Sequence, residues 1–229
     1  MEDKKITLII ASSKSKEEKK QYIETFTQTC GCEIEIIFIG DNKNSLSEVY
    51  QQALDNATSD FVVFTHDDVT PLKPNWGVTI INLFKTHKEF GIIGVAGSKH
   101  YGLDKKIEWW YSKNIAKGMI FHGTEEKSWF SMFSPYNLKT DLDEVSVIDG
   151  VFIACNKNRL KYGFDTEIKG FHFYDIAFCT ANFGHCKIGV TDRICLRHES
   201  VGQPNEEFIK QGLYVQEKYK DKLPLKIFN

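Results

Sequence analysis

The fold is decided by the stretch Phe61-Val62-Val63-Phe64-Thr65-His66-Asp67-Asp68-Val69-Thr70-Pro71. Its first four residues are apolar and β-prone, which predicts a short strand buried on both faces. The run then breaks into His66, Asp67 and Asp68, so the carboxyl end of the strand carries two carboxylates. Ligands bind outside that edge in open α/β sheets, and paired acids there suit a divalent cation and its phosphates. The alternative is an Asp-rich turn that caps the next helix.

Strands and helices alternate on both sides of this stretch. Residues 6–11, 33–39 and 92–95 are further apolar strand candidates. Between them, apolar residues recur at helical spacing, and Ser45-Leu46-Ser47-Glu48 is a capping box at the start of the clearest helix. This order predicts an α/β fold with a mostly parallel central sheet, helices on both faces and right-handed crossovers.

Polar residues follow two other strands. Ser12 comes directly after the first strand and either bonds a ligand at the sheet edge or caps a helix. Asp41 follows the second strand, so carboxylates end two strands that we expect to be adjacent. The sequence has no Gly-x-Gly-x-x-Gly and no Gly-Lys-Ser/Thr loop, which argues against the usual dinucleotide site and against a P-loop. Acidic strand ends, acting through a metal, are then the better phosphate site.

Composition narrows the choice of partners and location. The 229 residues carry 29 Lys and Arg against 31 Asp and Glu, a formal net charge of −2, which gives no reason to expect nucleic acid as the main partner. No apolar stretch has the length of a signal h-region at the amino terminus or of a membrane span, so we expect a cytoplasmic protein.

The second half of the chain loses the regular alternation. Residues 98–140 are rich in aromatic residues and are predicted to form an insertion within a single domain, whose halves are residues 1–97 and 98–229. Stacked aromatic rings suit the apolar faces of sugars, which makes Trp110 an acceptor candidate, although most of these rings are expected to pack the insertion onto the sheet. A helix over residues 205–220 either docks on a membrane surface or packs on the domain.

Two later segments carry candidate chemistry. A strand over residues 145–155 is interrupted by Asp149-Gly150, where glycine permits a bulge or a close approach of the backbone to a ligand. Asp175 begins an apolar helix and is either a capping carboxylate or a base held by that helix. His172, in the same segment, is the next candidate base because imidazole titrates near neutral pH.

Four motifs in this order resemble the small bacterial glycosyltransferases of the GT-A fold, in and near glycosyltransferase family 2, including the capsule and lipopolysaccharide enzymes. The motifs are Phe64-Thr65-His66-Asp67-Asp68-Val69-x-Pro71, Val147-Ile148-Asp149-Gly150-Val151-Phe152, Gly170-Phe171-His172-Phe173-Tyr174-Asp175 and His198-x-Ser200. The first resembles the metal-binding Asp-x-Asp element.

The resemblance implies roles for matching residues. Asp68 matches the second acid of Asp-x-Asp and His198 the late histidine, and together they would hold Mn²⁺ or Mg²⁺ on the donor diphosphate. Asp175 matches the general base of inverting members. Ser12 and Asp41 fall at the uracil and ribose contacts, with His66 and Asp67 also on the donor side, and Asp149, Gly150, Trp110 and His172 fall on the acceptor side. His66 departs from the motif, because it replaces the first acid and removes one anionic ligand.

The implied function is transfer of a hexose from a nucleotide diphosphate sugar, a UDP-sugar for preference, to a glycan or lipid-linked acceptor in surface polysaccharide synthesis at the inner face of the membrane. One alternative is a sugar-nucleotide nucleotidyltransferase, although Ala11-Ser12-Ser13-Lys14-Ser15 lacks the glycine-rich loop of those enzymes. Another is a non-catalytic carbohydrate-binding protein on the same fold, with His66 as the first sign of lost activity.

Overall fold

The structure is a computed structural model that describes residues 5–102, 106–111, 115–133, 140–200 and 204–228. These residues form five α-helices and fifteen β-strands. The helices are α1 (Lys20–Thr29), α2 (Leu46–Asn56), α3 (Trp76–Thr86), α4 (Tyr174–Asn182) and α5 (Glu206–Lys218). The strands are β1 (Lys5–Ala11), β2 (Glu33–Ile39), β3 (Phe61–Thr65), β4 (Val69–Pro71), β5 (Phe90–Gly94), β6 (Ala96–Ser98), β7 (His100–Tyr101), β8 (Ala116–Gly123), β9 (Ser128–Met132), β10 (Asp143–Val145), β11 (Val147–Ile148), β12 (Phe152–Asn156), β13 (Lys187–Val190), β14 (Leu196–His198) and β15 (Leu225–Lys226).

The main sheet has the strand order β10-β13-β5-β12-β3-β1-β2. Strands β2, β1, β3, β5 and β13 run in one direction, whereas β12 and β10 run against them. The predicted α/β fold with a mostly parallel sheet is thus confirmed. Every residue of β3 is buried, as its continuous apolar run requires.

The relation between β2 and β3 differs from the prediction. Both strands pair with β1, one on each side, so they are not adjacent. The carboxylates that follow them are therefore separated by the width of β1. The sequence cannot give this order, because two apolar strands of similar length fit either position.

Helix α2 is predicted correctly in place, but only half of its capping box forms. The Glu48 carboxylate accepts hydrogen bonds from the backbone and side chain of Ser45, whereas the Ser45 hydroxyl caps no helix N–H. The helix turns Tyr50 inward, where its ring lies 5.0 Å from Phe64 and 5.6 Å from Phe164. Phe164 stacks in turn on Phe178 of α4 at 4.3 Å. This aromatic cluster fixes α4 against the carboxyl end of β3.

The segment predicted as an insertion contributes to a second sheet of order β11-β6-β8-β14-β4, with β9 paired to β8. Strand β4 begins directly after Asp68, and its pairing with β14 sets Val69 opposite His198. Strand β8 pairs with β14 on the other side. The sheet joins residues far apart in sequence, which is why local pattern suggested only an aromatic insertion. Residues 103–105, 112–114 and 134–139 of that segment lie outside the described residues.

Strand β6 fixes the loop that follows β11. It pairs with β11 and β8, and the Ala96 carbonyl accepts a hydrogen bond from the Asp149 N–H at 2.9 Å. A Cβ atom on Gly97 would contact the Val147 carbonyl oxygen of β11, so only glycine fits this close approach.

Helix α5 covers most of the carboxyl-terminal segment expected to be helical. Its start is capped by the Asn205 side chain, which accepts a hydrogen bond from the Phe208 N–H at 2.8 Å. Gln211, Gly212 and Val215 are buried, whereas Ile209 and Leu213 remain exposed. Among the described residues, no helix combines the length and apolar character that a membrane crossing demands.

Gly97→Ala is expected to lower the free energy of unfolding by about 3 kcal/mol, because the added methyl meets a backbone oxygen that cannot move away without breaking the β6–β11 pair. Urea unfolding followed by circular dichroism measures the change. The control is Lys117→Ala, at the residue paired with Gly97 on β8, which is expected to cost about 0.5 kcal/mol or less. Equal effects of the two substitutions would contradict the close approach.

Candidate functional site

A cavity of about 740 Å³ opens at the carboxyl ends of β1 and β3. One side is polar and includes the residues that follow β1 and β3. The other side is aromatic and includes Trp110 and Phe208 of α5. Helix α4 begins between the two sides, with Asp175 in the cavity wall. The cavity therefore lies at the sheet edge that the sequence identifies as the ligand site.

Three side chains in the polar side converge on one point. Ligand atoms of His66, Asp68 and His198 all lie within 4.8 Å of one another. His198 Nε2 is 3.2 Å from Asp68 Oδ1 and 3.3 Å from His66 Nδ1. Two imidazole nitrogens and a carboxylate oxygen form a donor set that divalent transition metals accept. The residues present thus fit a divalent cation.

The position of His66 adds to what its sequence suggested. The sequence placed it on the donor side as a residue that weakens the metal group, but its Nδ1 belongs to that group. Asp68 and His198, both predicted ligands, are brought together as expected. The role of His66 depends on its orientation toward His198, 132 residues away in sequence, and no local pattern reports that orientation.

Charges in this group are strongly perturbed. Burial disfavours the ionised form of Asp68, but hydrogen bonds from His198 and Ser200 outweigh it and hold the pKa of that carboxyl well below its usual value. Burial likewise opposes a charged His198, yet its bond to Asp68 raises its pKa. Burial and the neighbouring His198 lower the pKa of His66. Asp68 is therefore ionised and His66 neutral at pH 7, which are the forms that ligate metals.

Asp67 turns away from the three converging side chains. It accepts a short hydrogen bond from the Ser12 hydroxyl, and Lys19 Nζ lies 3.4 Å from its Oδ2. Ser12 Oγ also accepts the Lys14 N–H at 3.0 Å. Two of the four residues assigned to the donor side, Ser12 and Asp67, are thus bonded to each other in the cavity wall.

Asp41 does not line the cavity. Its backbone is left-handed, with φ 51°, and its N–H bonds to the Lys14 carbonyl, so the chain turns at this residue and leaves its side chain exposed. The next residue, Asn42, lines the cavity instead. The donor contact expected of Asp41 is therefore not supported by its position.

Asp175 is held by backbone groups from two segments. Its Oδ2 accepts the Gly150 N–H at 2.7 Å, and its Oδ1 accepts the Ile176 N–H at 2.8 Å in the first turn of α4. Burial, reinforced by the negative charge of Asp149, raises the pKa of Asp175 to about 7. A carboxylate that only capped α4 would not need the hydrogen bond from the Gly150 N–H. A carboxylate poised near neutral pH is suited to accept a proton.

Asp149 and Gly150 form the loop between β11 and β12. The Asp149 carboxylate accepts hydrogen bonds from the Val151 N–H at 2.8 Å and from Trp109 Nε1 at 3.2 Å. Gly150 contacts α4 rather than open space, because a Cβ there would meet the Tyr174 hydroxyl. The close approach predicted at this glycine exists, but its partner is the protein itself.

Aromatic rings form the opposite wall. Trp110 is 37% exposed, and its ring centroid lies 5.6 Å from that of Trp109 and 5.9 Å from that of Phe208. The His172 ring lies 5.4 Å from Phe208 and also lines the cavity. The wall offers apolar ring faces with a few polar edges, which suits a sugar ring.

Sequence reasoning missed several residues of the cavity, among them Trp109, His122 and Tyr174. Trp109 was counted only among the aromatic residues of the insertion, and His122 lies on β8 with its ring 5.7 Å from that of His198. Tyr174 donates to the Gly150 carbonyl at 3.1 Å and its oxygen is 2.9 Å from His66 Nε2. Only Tyr174 had a local signal, since it stands directly before Asp175 in a quoted motif.

A family model described as "Glycosyltransferase like family" matches residues 7–191. No curated protein matches the sequence. Among solved structures, the crystal structure of GalNAc-T7 with UDP, GalNAc and Mn²⁺ is similar over 95% of this chain, with a TM-score of 0.56 and 10% identity. Staphylococcus aureus TarS, residues 1–349, is similar over 95% of this chain, with a TM-score of 0.57 and 12% identity. This chain spans 49% of the first structure and 65% of the second, and the likeness concerns the fold.

Asp175→Asn should gain stability relative to the wild type as the pH rises. With a pKa of about 7 in the fold, Asp175 binds its proton more tightly than in the unfolded chain, so the free energy of unfolding falls between about pH 4 and pH 7. The asparagine removes this loss. We expect a relative gain on the order of 1–3 kcal/mol by urea unfolding at about pH 4.5 and pH 8, below the full value for such a shift because solvent reaches part of the carboxyl.

The control for this titration is Asp165→Asn. The pKa of Asp165 is lowered. Burial acts to raise it, but the hydrogen bonds that Lys218 and Tyr219 donate to the carboxylate outweigh burial. The variant should therefore lose stability relative to the wild type as the pH rises. If Asp175→Asn shifted in the same direction as this control, Asp175 would not have a raised pKa.

Proposed function

Because this chain belongs to the glycosyltransferase-like family and has the GT-A fold, we propose that it is a metal-dependent inverting enzyme that transfers a hexose from a UDP-sugar. One observation carries the proposal. The group of His66, Asp68 and His198 shares a cavity with Asp175, whose pKa is about 7. A cation site for a leaving diphosphate and a base for an incoming hydroxyl are the two parts that such a transfer needs.

The charge of the cavity favours a metal-dependent donor. Asp67, Asp68, Asp149 and Asp175 line the cavity, whereas none of its described lining residues is Lys or Arg. The nearby Lys19 is paired with Asp67, so it offsets only one of the four carboxylates. A diphosphate therefore needs a cation to enter. Two imidazole nitrogens favour Mn²⁺ over Mg²⁺, which prefers oxygen ligands throughout. The Mn²⁺ and UDP bound in the GalNAc-T7 structure support the same choice.

His66, Asp68 and His198 would hold the cation, which when bound supplies positive charge to stabilise the departing diphosphate. Ser12 and Asp67 stand on the side of the cavity that the nucleoside would occupy, and their mutual hydrogen bond positions both oxygens for a ribose hydroxyl. Asn42 takes the place first given to Asp41.

Asp175 acts as the base in a single displacement. Its carboxylate takes the proton of the acceptor hydroxyl while that oxygen bonds to the anomeric carbon, and the bond from that carbon to the diphosphate oxygen breaks. Attack from the face opposite the diphosphate inverts the configuration. The hydrogen bond from the Gly150 N–H holds Asp175 in place, and the carboxylate keeps further lone pairs that can accept the proton of the acceptor.

Trp110, His172 and the Asp149-Gly150 loop border the space proposed for the acceptor. Ring faces at Trp110 suit the apolar face of a sugar, so a glycan or lipid-linked glycan of a bacterial surface polysaccharide is the proposed acceptor. The exposed side chains of Ile209 and Leu213 on α5 support contact with the inner face of a membrane, where such an acceptor would be reached.

His66 no longer favours the non-catalytic alternative. That alternative rested on the loss of the first acid of the motif, but His66 Nδ1 lies among the candidate ligand atoms. The nucleotidyltransferase alternative gains no support either, because β1 is followed by Ser12 and Ser13 in the cavity wall rather than by a glycine-rich loop.

Removal of the cation should weaken UDP binding strongly. We expect calorimetry to show UDP binding with Mn²⁺ and at least a tenfold weaker affinity with a chelator, because no described cation of the cavity wall offsets the diphosphate charge. Asp68→Ala and His198→Ala should each weaken Mn²⁺-dependent binding by at least tenfold. Asp60→Ala, an exposed carboxylate at the opposite end of β3, serves as control. Equal UDP affinity with metal and with chelator would remove the metal from the mechanism.

Asp175→Asn should lower the rate of UDP-sugar turnover by about 10²-fold or more while UDP-sugar binding persists, because the amide keeps the shape but cannot take a proton. Release of UDP from UDP-glucose, with and without acceptor, is the assay. Asp165→Asn lies outside the cavity and should leave turnover unchanged. Near-normal turnover of a folded Asp175→Asn variant would place the base elsewhere, with His172 the next candidate.

A further inference from the structure

Tyr174 is the first residue of α4 and is almost fully buried, with 3% of its surface exposed. Its ring lies 5.5 Å from Tyr50 and 6.3 Å from Phe164 in the aromatic cluster. The cluster holds the ring, so the hydroxyl has a fixed position at the edge of the cavity. That hydroxyl contacts two polar groups, the Gly150 carbonyl oxygen at 3.1 Å and His66 Nε2 at 2.9 Å.

The hydrogen-bonding capacity of these groups determines where the protons lie. A carbonyl oxygen only accepts, so the single hydroxyl proton of Tyr174 is donated to Gly150. The hydroxyl oxygen then accepts from His66 Nε2–H. Any other arrangement leaves the buried carbonyl facing a lone pair. A neutral imidazole carries one proton, and with that proton on Nε2 the opposite nitrogen, Nδ1, is bare.

Nδ1 is the atom that His66 directs at His198 and Asp68. A metal ligand must present a lone pair, and the hydrogen bond made by the second ring nitrogen decides which tautomer is present. We propose that Tyr174 is a positioning residue for the cation site, acting by fixing the His66 tautomer that leaves Nδ1 free. The proposal rests on the metal-dependent function proposed above and adds a residue that touches neither substrate nor cation.

The backbone of Gly150 also holds the base. The Gly150 carbonyl accepts from Tyr174, and the Gly150 N–H donates to Asp175 Oδ2 at 2.7 Å. His66 and Asp175 are therefore connected through Tyr174 and the backbone of one residue, Gly150, whose C=O and N–H belong to adjacent peptide planes. Since a Cβ on Gly150 would contact the Tyr174 hydroxyl and lie 3.1 Å from Asp175 Oδ2, glycine is required for both bonds.

Tyr174→Phe tests the proposal by removing the hydroxyl and keeping the ring. We expect the Mn²⁺ affinity of the otherwise intact chain, measured by calorimetry without nucleotide, to fall by about 10- to 100-fold. The matched control is Tyr50→Phe. Tyr50 is buried in the same cluster, and its hydroxyl bonds to the Thr65 carbonyl at 3.3 Å rather than to His66. Its loss should change Mn²⁺ affinity by less than about twofold.

The tautomer of His66 gives a second readout that needs neither metal nor turnover. In ¹⁵N-histidine NMR spectra of the metal-free wild type, His66 should show a protonated Nε2 and a bare Nδ1, and Tyr174→Phe should mix the two tautomers. A wild-type His66 protonated on Nδ1 would overturn the proposal even if Tyr174→Phe failed to fold.

The outcomes separate this inference from the function on which it rests. Wild-type Mn²⁺ binding that Tyr174→Phe leaves within twofold would overturn the role of Tyr174 and leave the proposed function standing. Absence of Mn²⁺ binding by the wild type would overturn the metal site itself, and with it the role of Tyr174 there.

Discussion

The antiparallel pairing of β12 with β3 is the constraint on which the cavity depends. It sets Phe152 opposite Thr65, and both the Thr65 hydroxyl and the His66 N–H bond to the Val151 carbonyl, at 2.9 Å and 3.4 Å. The loop before β12 is thereby fixed beside the residues that follow β3. Had β12 not entered between β3 and β5, Gly150 would have no contact with the His66 side of the cavity. One reversed strand in a largely parallel sheet thus joins the proposed cation site to the proposed base.

The strands β1, β2 and β3 could be predicted because each is a continuous apolar run that needs no distant partner to be recognised. The second sheet could not, since β8 takes its partners from β6 and β14, on either side of it in sequence. The same distinction applies to the site. Asp68 and Asp175 stand at element ends that sequence defines, whereas the part played by His66 and the exposure of Asp41 depend on side-chain orientation, which local pattern does not encode.

The cavity gathers negative charge at some cost to the fold. Asp149 lies close enough to raise the pKa of Asp175, and the burial of Asp175 raises it further. Backbone N–H groups of Gly150, Val151 and Ile176 offset part of that cost, because they are held by secondary structure and need no reorientation. A site arranged for a reaction, rather than for the most stable packing, accounts for such a concentration of carboxylates at a sheet edge.

The shared contacts of Gly150 also limit how the site can diversify. A side chain at position 150 displaces the Tyr174 hydroxyl, and a change at Tyr174 removes the partner of His66, so the effect of one substitution depends on the others. A single substitution at any of these three positions is therefore unfavourable unless the other two residues change with it. Among descendants of this sequence, positions 66, 150 and 174 should be inherited as a block, and lineages that recruit a different ligand set should replace them together.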